Sequence, residues 1–134
     1  MRIRTIMTTG AVFLALGCAS SAADRVDDKA AAKLASMVPT GKTADCLSLR
    51  AIDDITAVDE ETFLVRAGAR YYVSRTGSRC AGATRSFNRI EHRTTQAQLC
   101  RNEIISIVDN QTGMLNGSCS MGSFEELAPA PAAE

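Results

Sequence analysis

The chain has 134 residues, 15 Lys and Arg against 15 Asp and Glu, no Trp and only 4% aromatic residues. That length suits one domain, and the balanced charge removes any global pull toward nucleic acid or an anionic surface. So few large side chains predict a small core that needs reinforcement, and the 5 cysteines are its natural source.

Residues 1–17 read as an export signal. Arg2 and Arg4 give the positive start, and Ile6–Leu16 is an apolar run of 11 residues, softened by Thr8, Thr9 and Gly10. As a helix it rises only about 16 Å against a hydrocarbon thickness of about 30 Å, too short to span a bilayer. Leu14-Ala15-Leu16-Gly17-Cys18 resembles a lipobox, in which cleavage precedes a cysteine that receives diacylglycerol; Ala15 stands where lipoproteins usually carry Leu. The resemblance implies a lipid on Cys18 and, because Ala19 rather than Asp follows, the outer membrane as destination. Ser21-Ala22-Ala23 offers a rival cleavage before Asp24, which would leave a soluble periplasmic chain. Either way Cys18 leaves the disulfide count.

Residues 18–45 read as a tether with a candidate short helix. Asp24 suits a cap; Val26, Ala30, Leu34 and Met37 or Val38 make an apolar stripe at helical spacing; Pro39-Thr40-Gly41 would end it. Residues 46–127 read as the folded part and are mostly β. Leu47, Leu49 and Ala51 alternate, and Ile55 and Val58 follow. The segments 62–66 and 71–75 are rich in β-branched and aromatic residues around Gly68, the pattern of a hairpin. Phe87–Thr94 is a weaker strand, Thr94–Cys100 has room for a helical turn or two, and Ile104–Val108 is a strong strand. Asn110–Gly117 is a turn-rich break, and its two Asn-x-Ser/Thr sequons, at Asn110 and Asn116, read as turn residues. Residues 128–134, with Pro129 and Pro131 among alanines, read as a disordered tail. The expected class is all-β: a small disulfide-stapled antiparallel sheet or incomplete barrel, preceded by a short helix.

Cys46, Cys80, Cys100 and Cys119 are an even set in a chain bound for an oxidising compartment, so disulfides are expected. A metal site is disfavoured: there is no Cys-x-x-Cys pair, and the single His92 is 8 residues from the nearest cysteine. Of three connectivities, Cys46–Cys119 with Cys80–Cys100 is preferred, the first closing the domain like a clasp. Each bridge is worth about 2–4 kcal/mol, mainly by restricting the unfolded chain.

The segments Cys46-Leu47, 59–64 (Asp-Glu-Glu-Thr-Phe-Leu), 68–73 (Gly-Ala-Arg-Tyr-Tyr-Val), 79–82 (Arg-Cys-Ala-Gly), Leu99-Cys100 and 119–124 (Cys-Ser-Met-Gly-Ser-Phe) together resemble a proteobacterial family of small exported four-cysteine proteins classed as a domain of unknown function. The family commonly has Pro where Ala81 stands and Asp where Glu103 stands. The resemblance implies export and the four-cysteine pattern, and no activity.

Chemistry-bearing residues are sparse. Glu91-His92 is the one place a general base suggests itself, but a hydrolytic site would also need a nucleophile and oxyanion donors in reach, and a surface histidine is the simpler reading. No phosphate-binding glycine loop or Walker-like lysine is present, so no cofactor is expected. Charge, however, is segregated. Between Asp45 and Glu61 there are 6 acids and 1 base; between Arg66 and Arg101 there are 8 arginines and 1 acid, Glu91. Internal pairing explains this simply. The sharper reading is an arginine face, with Arg85, Arg89 and Arg93 on alternate positions, that binds an anionic envelope ligand such as a lipid phosphate or glycan carboxylate. The functional expectation is a non-enzymatic envelope protein with a structural or binding role; an enzyme using His92 is the alternative.

Overall fold

The structure is a computed structural model and describes residues 28–132. The export segment, Cys18 and the start of the tether lie outside the described residues. Within them the chain forms one short helix, α1 (Asp28–Ala35), and ten strands: β1 (Met37–Ala44), β2 (Cys46–Ser48), β3 (Ile52–Ala57), β4 (Thr62–Ala67), β5 (Arg70–Arg75), β6 (Asn88–His92), β7 (Gln98–Cys100), β8 (Ile104–Asp109), β9 (Leu115–Ser120) and β10 (Phe124–Pro129). The protein is therefore mostly β, as its alternating patterns predict.

Five strands form an antiparallel sheet in the order β1-β10-β5-β4-β3, three form a second sheet β6-β8-β9, and β2 pairs with β7. The hairpin β4–β5 turns through Gly68 and Ala69, and Gly68 sits at φ +62°, the left-handed conformation that a tight two-residue turn asks of its first position. Asp53 of β3 accepts the Gly68 N–H at 2.7 Å and pins that turn.

Alternation explains both faces of the five-stranded sheet. Phe63, Val65, Tyr72 and Phe124 point inward and meet Leu47, Leu99, Ile105 and Ile107 in the main core. Leu64, Val73 and Leu127 point the other way and are covered by α1 through Ala30, Ala31 and Leu34, with Met37 beside them. Ala30 and Leu34 thus pack as their helical spacing predicts, while Met37, expected on the same stripe, joins them from β1.

Four expectations are corrected. Residues 37–44 are an edge strand, not a tether, and the helix stops at Ala35. Pro39 is accommodated because β1 lies at the sheet edge and its register slips between Pro39 and Thr43. Residues 128 and 129, expected in a disordered tail, pair with Val38 and Met37, and Ala130 N–H donates to the Ser36 carbonyl at 2.9 Å. Residues 98–100 form β7 rather than a helical turn, because Leu99 is drawn into the core opposite Leu47. Gly117 lies within β9, not in a turn: a Cβ there would sit 2.5 Å from the Ala81 carbonyl oxygen, so the strand needs glycine for a close backbone approach.

The cysteine pairing also differs. All four inner cysteines are joined, but as Cys46–Cys100 and Cys80–Cys119. Cys46 and Cys100 are register partners across β2 and β7, and the loop after β5 lays Cys80 over Cys119 in β9. The domain ends do meet, as the clasp idea requires, but through hydrogen bonding of β1 to β10.

Candidate functional site

Sheet closure stops on one side. β3 is the outer strand of the large sheet and β6 an outer strand of the small one; neither is paired with the other. Between them lies a cleft of about 570 Å³, within the size range of small-molecule sites. Ile55 and Ala57 of β3, Ala83, and Ile90 of β6 give it an apolar floor continuous with the main core. Its rim is polar: Asp28 and Lys29 from the start of α1, and Thr84, Arg85 and Ser86 from the loop before β6.

That loop is held in place from several sides. Cys80 is fully buried and bonded to Cys119. The Glu60 carbonyl accepts Cys80 N–H at 2.7 Å, and the Glu60 carboxylate accepts Gly82 N–H at 2.8 Å while pairing with Arg79. Asn88 donates to the Gly82 carbonyl at 2.8 Å and accepts from Asn116 at 2.9 Å. The rim donors therefore stand on a braced scaffold rather than on a loose loop.

The Gly82 N–H bond, with Arg79 second, holds the Glu60 carboxyl below the usual carboxylate range. A depressed folded-state pKa stabilises the fold above the unfolded value and stops doing so as pH falls through the folded one. Stability should consequently fall as pH drops below about 4.3, the ordinary Glu value. Glu60→Gln should lower stability by about 1–2 kcal/mol at neutral pH and flatten part of that acid dependence, read by urea unfolding at several pH values.

The arginines are mostly spoken for. Arg70 pairs with Glu126 at 3.8 Å, Arg75 with Glu125 at 3.4 Å, Arg79 with Glu60, and Arg101 with Asp45 at 3.6 Å. Arg89 of β6 and Arg93, just past its end, both reach Glu91, which lies 2.9 Å from Arg89 Nε and 3.5 Å from Arg93. The Arg89 hydrogen bond, chiefly, holds the Glu91 carboxyl below its usual range. Arg85 lies before β6, in the braced loop, so the three arginines do not alternate along one strand, although Arg85 and Arg89 both line the cleft. Between Arg66 and Arg101, and among the described residues, Arg66 and Arg85 alone have no carboxylate within ion-pair distance.

His92 is not a surface histidine: its side chain is only 10% exposed and its Nε2 lies 3.2 Å from Glu103. The same carboxylate accepts Cys100 N–H at 2.6 Å and lies 3.4 Å from the Thr94 hydroxyl. Here the acid sits between the hydroxyl and the imidazole. A nucleophile needs the base itself beside it, so this cluster ties β6 to the β7–β8 turn and lies apart from the cleft. Among the described residues there is no group of three or more His, Cys, Asp or Glu able to hold a metal, and no helix long and apolar enough to cross a membrane.

The cleft arises from two strands left unpaired with each other, which no local pattern in the sequence marks. No family model, curated protein or solved structure matches the chain.

Proposed function

We propose that this protein is a lipid-anchored component of the bacterial cell envelope, exported by residues 1–17, acylated at Cys18 and facing the periplasm from the outer membrane, with a binding rather than a catalytic role. The observation that supports it best is the pair of disulfides, which fit an oxidising compartment outside the cytoplasm. The lipobox-like segment ending at Cys18 supports the anchor, and several acyl chains at about 0.8 kcal/mol per buried methylene would hold it stably. A cleft with an apolar floor and a donor-rich rim suits binding.

Catalysis through His92 is the second reading; its support is the Glu103 contact, and its weakness is that the hydroxyl meets the acid and not the ring. Cellular fractionation tests the location. The wild-type chain is expected with the outer-membrane fraction, and Cys18→Ser is expected to release it or stall its processing. Recovery of the wild-type chain wholly in the soluble periplasmic fraction would refute the anchor and favour cleavage before Asp24.

A further inference from the structure

Thr84, Arg85 and Ser86 are three consecutive donors on the rim of the cleft. Arg85 has no ion pair, and the Thr84 and Ser86 hydroxyls make no hydrogen bond among the described residues. A guanidinium with flanking hydroxyls matches an oxyanion that has several acceptor oxygens, as a phosphate does. Behind them Ile55, Ala57, Ala83 and Ile90 offer an apolar bed. The matching ligand is therefore amphipathic, with a phosphate at one end and hydrocarbon at the other.

Two further observations fit a membrane surface there. Phe87 follows the donor triplet and is 46% exposed; its carbonyl accepts Asn110 N–H, and the neighbouring Asp109 N–H bonds to Met114, which with Leu115 is also more than 60% exposed. An exposed apolar tip thus stands next to the cationic rim, the pairing that suits a lipid surface with anionic headgroups. Asp28, on the opposite rim, is 10 residues from Cys18. Ten extended residues reach at most about 35 Å, so an acylated Cys18 keeps the cleft close to the bilayer.

We infer that the cleft between β3 and β6 binds the phosphate headgroup of an anionic phospholipid, with Arg85 as its anchoring cation and Thr84 and Ser86 as its hydroxyl donors. The inference rests on the anchored reading for its membrane source, while the chemistry of the cleft stands on Arg85 and its neighbours.

The test uses the mature chain purified in a neutral detergent from the whole cell envelope, membranes and periplasm together, with its thermal unfolding midpoint followed as short-chain lipids are added. A ligand that binds only the folded state raises the midpoint by mass action. Dihexanoyl phosphatidylglycerol is expected to raise it, less so in high salt because exposed charges are screened beyond about 8–10 Å at ordinary ionic strength. Arg85→Gln is expected to weaken the apparent affinity about tenfold or more. Arg66→Gln, which removes the other arginine without an ion pair but lies outside this cleft, is expected to leave it unchanged. Dihexanoyl phosphatidylcholine is expected to give little shift. Glycerol 3-phosphate acting as well as the lipid would overturn the membrane source and leave a soluble phosphoester. Equal shifts with phosphatidylcholine, no shift with phosphatidylglycerol, or equal loss in both arginine variants would overturn the inference. Failure of the anchored reading is seen separately, as the missing acyl mass on the purified chain.

Discussion

Replacing Cys80 and Cys119 together by Ala is expected to cost about 3–5 kcal/mol, while the same change at Cys46 and Cys100 costs about 2–3 kcal/mol. Loop entropy alone does not make that order. The two bridges span 39 and 54 residues, so chain closure slightly favours the second. Burial reverses it. Cys80 is 0% and Cys119 3% exposed, and both belong to the main core, so losing their sulfurs also opens a cavity. Cys46 is exposed and Cys100 only half-buried. The first bridge also braces the loop that carries Arg85, so its loss should loosen the cleft rim as well. Urea unfolding of the two double variants measures the order, and equal midpoints or the reverse order would contradict it. A mild reductant should likewise open Cys46–Cys100 first, since a thiolate must reach the sulfur it attacks.

Phe63→Ala is expected to lower stability by about 3–5 kcal/mol and the melting midpoint by more than about 12 °C. Phe63 is fully buried and lies on the interior strand β4, opposite Ala57 on one side and Ser74 on the other. With no Trp in the chain and 4% aromatic residues, the ring is a large share of what the core holds. Phe87→Ala is the contrast: that ring is 46% exposed, and its removal should change stability by no more than about 0.5 kcal/mol. Thermal unfolding of the two variants separates a core aromatic from one exposed beside the cleft.

Local signals were legible in the sequence; pairings between distant segments were not. The hairpin at Gly68 and the strand at Ile104 carried β-branched residues and a turn glycine close together, and both stand where those residues predict. Ala30 and Leu34 packed as expected because a helical period depends on neighbours alone, whereas Met37, expected on the same stripe, reaches that cluster from β1. β1 was hidden by Pro39 and Gly41, which read as a stop but are tolerated on an edge strand with a register slip. Disulfide connectivity was hidden for a related reason: Cys46 meets Cys100 because β2 pairs with β7, and nothing local in three-residue strands announces a partner. The arginine-rich stretch was legible as a charge pattern, yet apart from Glu91 its partners came from elsewhere, Glu125 and Glu126 on β10, Glu60 after β3 and Asp45 before β2. What that pairing leaves over, Arg85 beside two uncommitted hydroxyls, emerges only when all the partners are placed.

The most direct test of the account is the mass of the chain isolated from the whole cell envelope, membranes and periplasm together, taken intact and then as non-reduced peptides. The account predicts a chain that begins at Cys18 with the mass of its acyl groups, and peptides joined as Cys46–Cys100 and Cys80–Cys119. An unacylated chain beginning at Asp24, or four free thiols in protein taken from the envelope, would contradict it.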